Sequence, residues 1–274
     1  MKKYLRVMFL VILVGAVLGL GGCSNSEEAP NIPEVKTNIK FGTNANFLPV
    51  VDAIIPLMEA KGYTIEIANF DDPISIDVAT QEGSIDVNYY QHLPYMQKFN
   101  SSHNGTLVMV EPYLLAANMG LFSNKHKSTE ALPDGATIAI AMDNSNKDRG
   151  LRMLRDNGLL TLAKTPAGGA YTLVDIADNP KKFKFVEVDL YQLLRTLDDV
   201  DAGAINCTYL ITAGKDLSSA ICFSKDADQF PNGVVVRGDN KDTQWVKDIM
   251  ECITSDVCRE KIEDHYKGSY KILF

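Results

Sequence analysis

Residues 39–70 read IKFGTNANFLPVVDAIIPLMEAKGYTIEIANF. The opening IKFGTN is a short β-favouring run. Pro49 and Gly62 then bracket a segment that places Val50, Val51, Ile54, Ile55 and Met58 on one helical face, and Pro56 inside it predicts a kink. TIEIANF alternates as a strand. The unit is strand, helix, strand, and the pattern continues outward: a helix is predicted over 74–82 and ends at Gly83, SIDVNYY (84–90) is extended again, and PYMQKF (94–99) opens another helix.

The stretch GTLVMVEPYLLAANMGLFS (105–123) is apolar and longer than one strand usually runs, so it is expected to cross between lobes. A second alternation follows. Strands are predicted at Thr137 to Met142, Phe183 to Val188 and Ala202 to Asn206, with helices near Asn146 to Asp156 and Leu190 to Asp198. Two further strands, near Ala220 to Phe223 and Gly233 to Arg237, precede closing helices from Thr243 and from Asp256. Such alternation implies an α/β fold of mainly parallel sheets with helices on both faces, arranged as a two-lobed clamp. The expected organisation is 38–115 in lobe 1, 116–222 in lobe 2, and 223–274 returning to lobe 1.

The amino-terminal residues 1–22 carry Lys2, Lys3 and Arg6, then an apolar run from Val7 to Leu20. That run is short for a membrane span, which needs roughly 20 apolar residues, and it reads as a signal peptide. Leu20-Gly21-Gly22-Cys23 resembles the bacterial lipobox, which makes Cys23 the expected lipidation site. Residues 23–37 hold two prolines and no apolar period, as a tether does. The expected location is therefore the cell envelope, lipid-anchored to a bacterial membrane and facing outside the cytoplasm. The 274-residue chain carries a formal charge of −8, and loss of the leader makes it more acidic, which argues against nucleic acid. An exported chain permits disulfides. Cys207, Cys222, Cys252 and Cys258 are therefore either bridged, with Cys252 and Cys258 the first pair to consider, or four buried thiols.

Ligands in open α/β sheets sit beyond the carboxyl ends of strands. Four polar clusters fall there: Asn88 to His92, Asp143 to Asn146, Asn206 to Tyr209 and Phe230 to Asn232. In MDNSNKDRGLRML (142–154), Ser145 is expected to cap a helix with Asp148 returning the bond. Arg149, one turn in, either forks a carboxylate or makes a surface ion pair. His92 stands among Tyr89, Tyr90 and Tyr95. It suits an aromatic wall for a small ligand or a buried histidine better than catalysis, because the chain has no Gly-x-Ser-x-Gly turn, no His-Glu-x-x-His and no clustered metal ligands. Asn206 and Asn232 each leave or precede an apolar strand, as ligand carboxamides or as turn asparagines. No enzyme activity, cofactor or metal is expected.

GSIDVNYYQHLPY (83–95), LPDGATIAI (132–140), NKDRGLRML (146–154) and VDIADNPKKFKFVEVDLYQLLRTLDDVDAGAIN (174–206) together resemble the NlpA-type methionine-binding lipoproteins, the substrate-binding components of methionine ABC importers. The likeness runs from about Asn38 to the carboxyl terminus, and it implies that the two-lobed clamp is of the periplasmic-binding-protein kind. It implies that Tyr90, His92 and Tyr95 wall the ligand side chain, that Arg149 with Asn146 holds an α-carboxylate, and that Asn206 and Asn232 bind the backbone amino and carboxylate groups. It also implies an ABC permease and its ATPase subunit as partners, and the membrane through the lipid on Cys23. The chain departs from the family pattern in four places, the first being Tyr90, which stands where phenylalanine is usual. Pro73 stands where a pocket tyrosine is usual, Ile76-Asp77 replace Pro-Asn, and Ala141-Met142 precede the arginine helix in place of Pro-Asn. The expected ligand is methionine or a close relative. The alternatives are a different small solute on the same fold, or a surface interaction lipoprotein without transport.

Overall fold

The computed structural model describes residues 36–164, 169–267 and 269–274. The predicted leader and Cys23 lie outside the described residues. Residues 39–70 fold as read, into β1 (Asn38–Thr43), α1 (Leu48–Ala60) and β2 (Thr64–Asn69), with β1 and β2 parallel and Phe41 opposite Ile67. Helix α1 buries Val50, Val51, Ile54 and Met58, whereas Ile55 is only half-buried. Pro56 lies on the exposed side of a helix that runs unbroken past it.

The chain continues through α2 (Pro73–Glu82), capped by Asp72, which accepts from the Ser75 N–H at 2.7 Å. The helix ends at Gly83, whose φ of 79° is the left-handed conformation that glycine adopts without penalty. Then come β3 (Val87–Asn88), parallel to β1, α3 (Leu93–His103) and β4 (Leu107–Met109). The long apolar stretch does cross the molecule, and it does so as three strands. β4 belongs to the first sheet, β5 (Leu115–Ala117) to a small middle sheet, and β6 (Met119–Phe122) to the second large sheet.

The second lobe runs through β7 (Thr137–Ala141), α4 (Asn144–Asp156), the β8–β9 pair (Thr161–Leu162 and Ile176–Asp178), β10 (Lys184–Val188), α5 (Leu193–Thr196), β11 (Ala202–Asn206), α6 (Cys207–Thr212) and β12 (Ala220–Phe223). The return passes β13 (Pro231–Asn232) in the middle sheet and β14 (Val235–Arg237) in the first. It closes with α7 (Gln244–Ile253), α8 (Asp256–Tyr266) and β15 (Tyr270–Ile272). The large sheets have the orders β2-β1-β3-β14-β4 and β10-β7-β11-β6-β12.

Both large sheets are mixed, a modification of the mainly parallel expectation. In the first, β14 is antiparallel to β3 and β4; in the second, β6 is antiparallel to β11 and β12. The reversed strand is in each case the one by which the chain enters that lobe from the middle sheet, so it starts where its neighbours end. The carboxyl ends of the helix-linked strands therefore all face the crevice between the lobes. Each lobe has its own core. Ile39, Phe41, Ile54, Trp245 and Ile249 belong to the first, and Ile138, Ile140, Leu151 and Leu154 to the second. All four cysteines in the described residues are free. Cys252 and Cys258, the pair considered for a bridge, each pack their thiols into the first lobe's core instead.

Candidate functional site

The seven residues selected from sequence line one cavity between the lobes. Tyr90 and His92 come from the turn between β3 and α3, Tyr95 from the first turn of α3, Asn146 and Arg149 from α4, Asn206 from the end of β11, and Asn232 from β13. The helix that carries the arginine starts differently from expectation. Asp143, extended and two residues past the end of β7, is its cap: its Oδ1 accepts from the Asn146 N–H at 2.9 Å and from the Ser145 hydroxyl at 2.9 Å. Asp148 accepts instead from the Tyr171 N–H at 2.7 Å and the Arg152 Nε at 2.8 Å. Gly150 lets α4 lie close on the sheet, since a Cβ there would meet Ile140 Cδ1 at 3.0 Å and Ala204 at 3.3 Å.

Arg149 is consequently fully buried. Nη1 donates to Asn206 Oδ1 at 3.0 Å, Nη2 donates to the Ala117 carbonyl, and the Phe230 ring lies 4.7 Å from Cζ. Its Nε has no partner, and among the described residues no carboxylate forms an ion pair with it. Burial pulls its pKa down to about 10 against the raising influence of Asp226. A guanidinium held this way retains an open demand for negative charge.

A chain of hydrogen bonds leads from it to the other lobe. Asn206 Nδ2 donates to Asn146 Oδ1 at 3.3 Å, and His92 Nε2 stands 3.2 Å from the same oxygen. His92 Nδ1 accepts from the Tyr95 N–H at 3.1 Å, which places the ring proton on Nε2 and makes the imidazole a neutral donor to Asn146. Burial first, and Arg149 second, push the His92 pKa down to about 4. A His whose folded pKa is depressed loses stability as pH falls from its ordinary value of about 6.5 toward that value. The imidazole carbon-bound proton shifts of His92 are expected to stay flat from pH 8 to pH 5 in an NMR titration. A midpoint above pH 6 is incompatible with this geometry.

Asn232 sits opposite His92 in the backbone register, and its carbonyl accepts from the Leu114 N–H at 2.8 Å. Its side-chain Oδ1 is buried with no partner, a free acceptor. Tyr90 donates its hydroxyl to the Pro73 carbonyl at 2.6 Å and meets the Tyr95 ring edge-on, with centroids 6.2 Å apart. Tyr89, the third tyrosine of the cluster, turns into the first lobe's core against Phe47.

Sequence reasoning missed Gln91 and Tyr191 as cavity residues. Gln91 lay inside the cluster already singled out. Its amide nitrogen donates to Asp77 Oδ1 at 2.6 Å and Asn88 Oδ1 at 3.2 Å, leaving Oε1 unpartnered. Tyr191 stands three residues past the end of β10, so the strand-end rule that found the other clusters also points to it. The cavity thus offers one unpaired cation, neutral carboxamides and an aromatic wall. Cys207, beside Asn206, has its thiol pushed up to about 12 by burial. Among the described residues no group of three or more His, Cys, Asp or Glu stands together as a metal site.

Two mixed α/β lobes, joined by a middle sheet and enclosing a polar crevice, define a periplasmic-type substrate-binding protein, a non-enzymatic class. The family model of the NlpA lipoproteins matches residues 39–273, and the chain belongs to that family. It is 33% identical over 261 residues to the D-methionine-binding lipoprotein MetQ of Salmonella typhimurium, covering 93% of this chain and 94% of that one. Among solved structures, a nutrient-binding protein from Burkholderia cenocepacia bound to methionine superposes with a TM-score of 0.80 at 32% identity, covering 86% of this chain and 100% of that chain. A periplasmic ABC-transporter substrate-binding protein from Coxiella burnetii gives a TM-score of 0.80 at 30% identity, covering 85% of this chain and 99% of that one. Lipoproteins of this family are anchored in the cell envelope by lipid. Among the described residues no helix is long and apolar enough to cross a membrane.

Proposed function

We propose that this protein is the lipid-anchored substrate-binding component of an ABC importer, and that it captures an amino acid, methionine or a close relative, in the interlobe crevice. The observation that carries the reading is the fully buried Arg149, which has an open Nε and no carboxylate in contact, facing a crevice in which Asn232 Oδ1 is an unpaired acceptor. A free amino acid supplies what both lack: a carboxylate for the guanidinium fork and an ammonium group for the carboxamide oxygen. In this reading Arg149 and Asn146 hold the carboxylate, Asn206 and Asn232 hold the backbone groups, and Tyr90, His92 and Tyr95 wall the side chain.

Ligand that touches both lobes favours the closed form by its differential contacts, and a permease with its ATPase subunit takes up that form. The lipid on Cys23 keeps the protein at the membrane, outside the cytoplasm. The hydroxyl of Tyr90 is occupied by the Pro73 carbonyl, at a position where the family pattern has a tyrosine. That difference favours, as a second reading, another zwitterion of similar size. Isothermal calorimetry against the common amino acids, with mass spectrometry of solute retained through purification, tests both readings. A micromolar or tighter signal for methionine or a near relative is expected. No heat from any amino acid at millimolar concentration removes the proposal and leaves the non-transport surface lipoprotein.

A further inference from the structure

Tyr191 belongs to the second lobe, just beyond β10, yet its hydroxyl accepts a hydrogen bond from Asn44 Nδ2 at 3.0 Å, and Asn44 follows β1 in the first lobe. Both ends of this contact are held in place. The Tyr191 N–H donates to Asp189 Oδ1 at 2.9 Å, and Asn44 Oδ1 accepts from the Asn46 N–H at 3.0 Å. Tyr191 packs edge-on against Tyr209, with centroids 5.8 Å apart. These two rings line the inner crevice and also a separate outer groove, which Asn44, Asp71 and Arg195 also line. They are therefore the partition between the solute cavity and solvent on that side of the clamp.

We infer that Tyr191 is a binding residue of this site: its ring seals the crevice, and its cross-lobe bond to Asn44 sets how fast the guest leaves. This rests on the crevice being the amino-acid site. A hydrogen bond made only when the lobes are together stabilises the closed form without assisting encounter, so its loss appears in the dissociation rate. No acceptor for the hydroxyl's own proton lies within hydrogen-bonding distance among the described residues. That proton remains available to the guest's side chain.

The experiment is stopped-flow release of L-methionine, by dilution into competitor, from the full-length protein in nanodiscs. Should wild type bind a different amino acid in the calorimetric panel, that amino acid is the probe. Tyr191→Phe keeps the ring and removes the clasp. It is expected to speed release roughly 3- to 10-fold, the worth of one net hydrogen bond, with an unchanged association rate and thermal midpoint. Tyr191→Ala opens the partition and is expected to speed release by more than about tenfold. Wild-type release from Tyr191→Phe refutes the clasp while leaving the amino-acid reading intact. Wild type that binds no amino acid refutes the reading and this inference together.

Discussion

Arg149→Met is expected to abolish amino-acid binding while leaving the stability of the ligand-free protein within about 3 kcal/mol of wild type. Truncating one member of a buried, hydrogen-bonded charge pair costs about 2–5 kcal/mol in affinity, which is on the order of 30-fold to several thousandfold in Kd. Without its ligand, however, Arg149 is a buried cation with no carboxylate in contact. Its pKa is pulled from 12.5 down to about 10, which corresponds to a penalty on the order of 3 kcal/mol for keeping it ionised at neutral pH. Methionine fills similar volume without that penalty. Against this stands the loss of two charge-assisted hydrogen bonds, to Asn206 Oδ1 and the Ala117 carbonyl, at about 1.5–3 kcal/mol each, so that the two contributions largely offset. A large loss of binding with a small change in stability is the signature of a residue kept for its ligand. They are measured by calorimetry for binding and by thermal unfolding for stability. A variant that unfolds many degrees below wild type makes Arg149 a structural residue.

Asp77→Asn is expected to raise stability at pH 8 and to flatten its pH dependence. Asp77 is fully buried on the inner face of α2, accepts from Gln91 and Asn88 through Oδ1, and leaves Oδ2 without a partner. Burial raises its pKa from 3.8 to about 7, against the lowering effect of the hydrogen bonds from Gln91 and Asn88. A carboxyl raised in this way keeps its proton in the folded protein while the unfolded chain has lost it. Stability therefore falls as pH climbs from about 4 to about 7, and the whole deficit persists above that. Three units correspond to about 4 kcal/mol, or on the order of 10 °C in Tm for a domain of this size. The amide keeps the Oδ1 acceptor and cannot ionise. Thermal unfolding at pH 5 and pH 8 should show the wild-type difference largely gone in the variant. Parallel curves for the two proteins at both pH values contradict the assignment of a buried, titrating Asp77.

The two predictions concern side chains whose meaning was unequally visible. Arg149 was legible because a helix start with an arginine one turn in follows a predicted strand, and strand ends are where α/β folds bind. Asp77 appeared only as a departure from a family pattern, since a lone Asp on an amphipathic helix says nothing about burial until a neighbouring strand covers it. The cap of α4 was misread for a related reason. Ser145 and Asp148 have capping-box spacing, but Asp143 wins because the backbone is still extended there when β7 ends. The mixed sheets follow from the crossovers: periodicity reports that a segment is a strand, not which way it enters a lobe.

The sequence by itself determined the alternation of strands and helices, the two-lobed class and the residue types that suit a zwitterion, because these depend on local periodicity, capping and side-chain chemistry. Only the tertiary structure decided that Tyr90, His92, Arg149, Asn206 and Asn232 share one crevice. It also decided that Arg149 has no internal counter-ion and that Tyr191 reaches Asn44 across the lobes. Burial and pairing are properties of what surrounds a group, and those surroundings come from segments as far apart in the chain as residues 44 and 191.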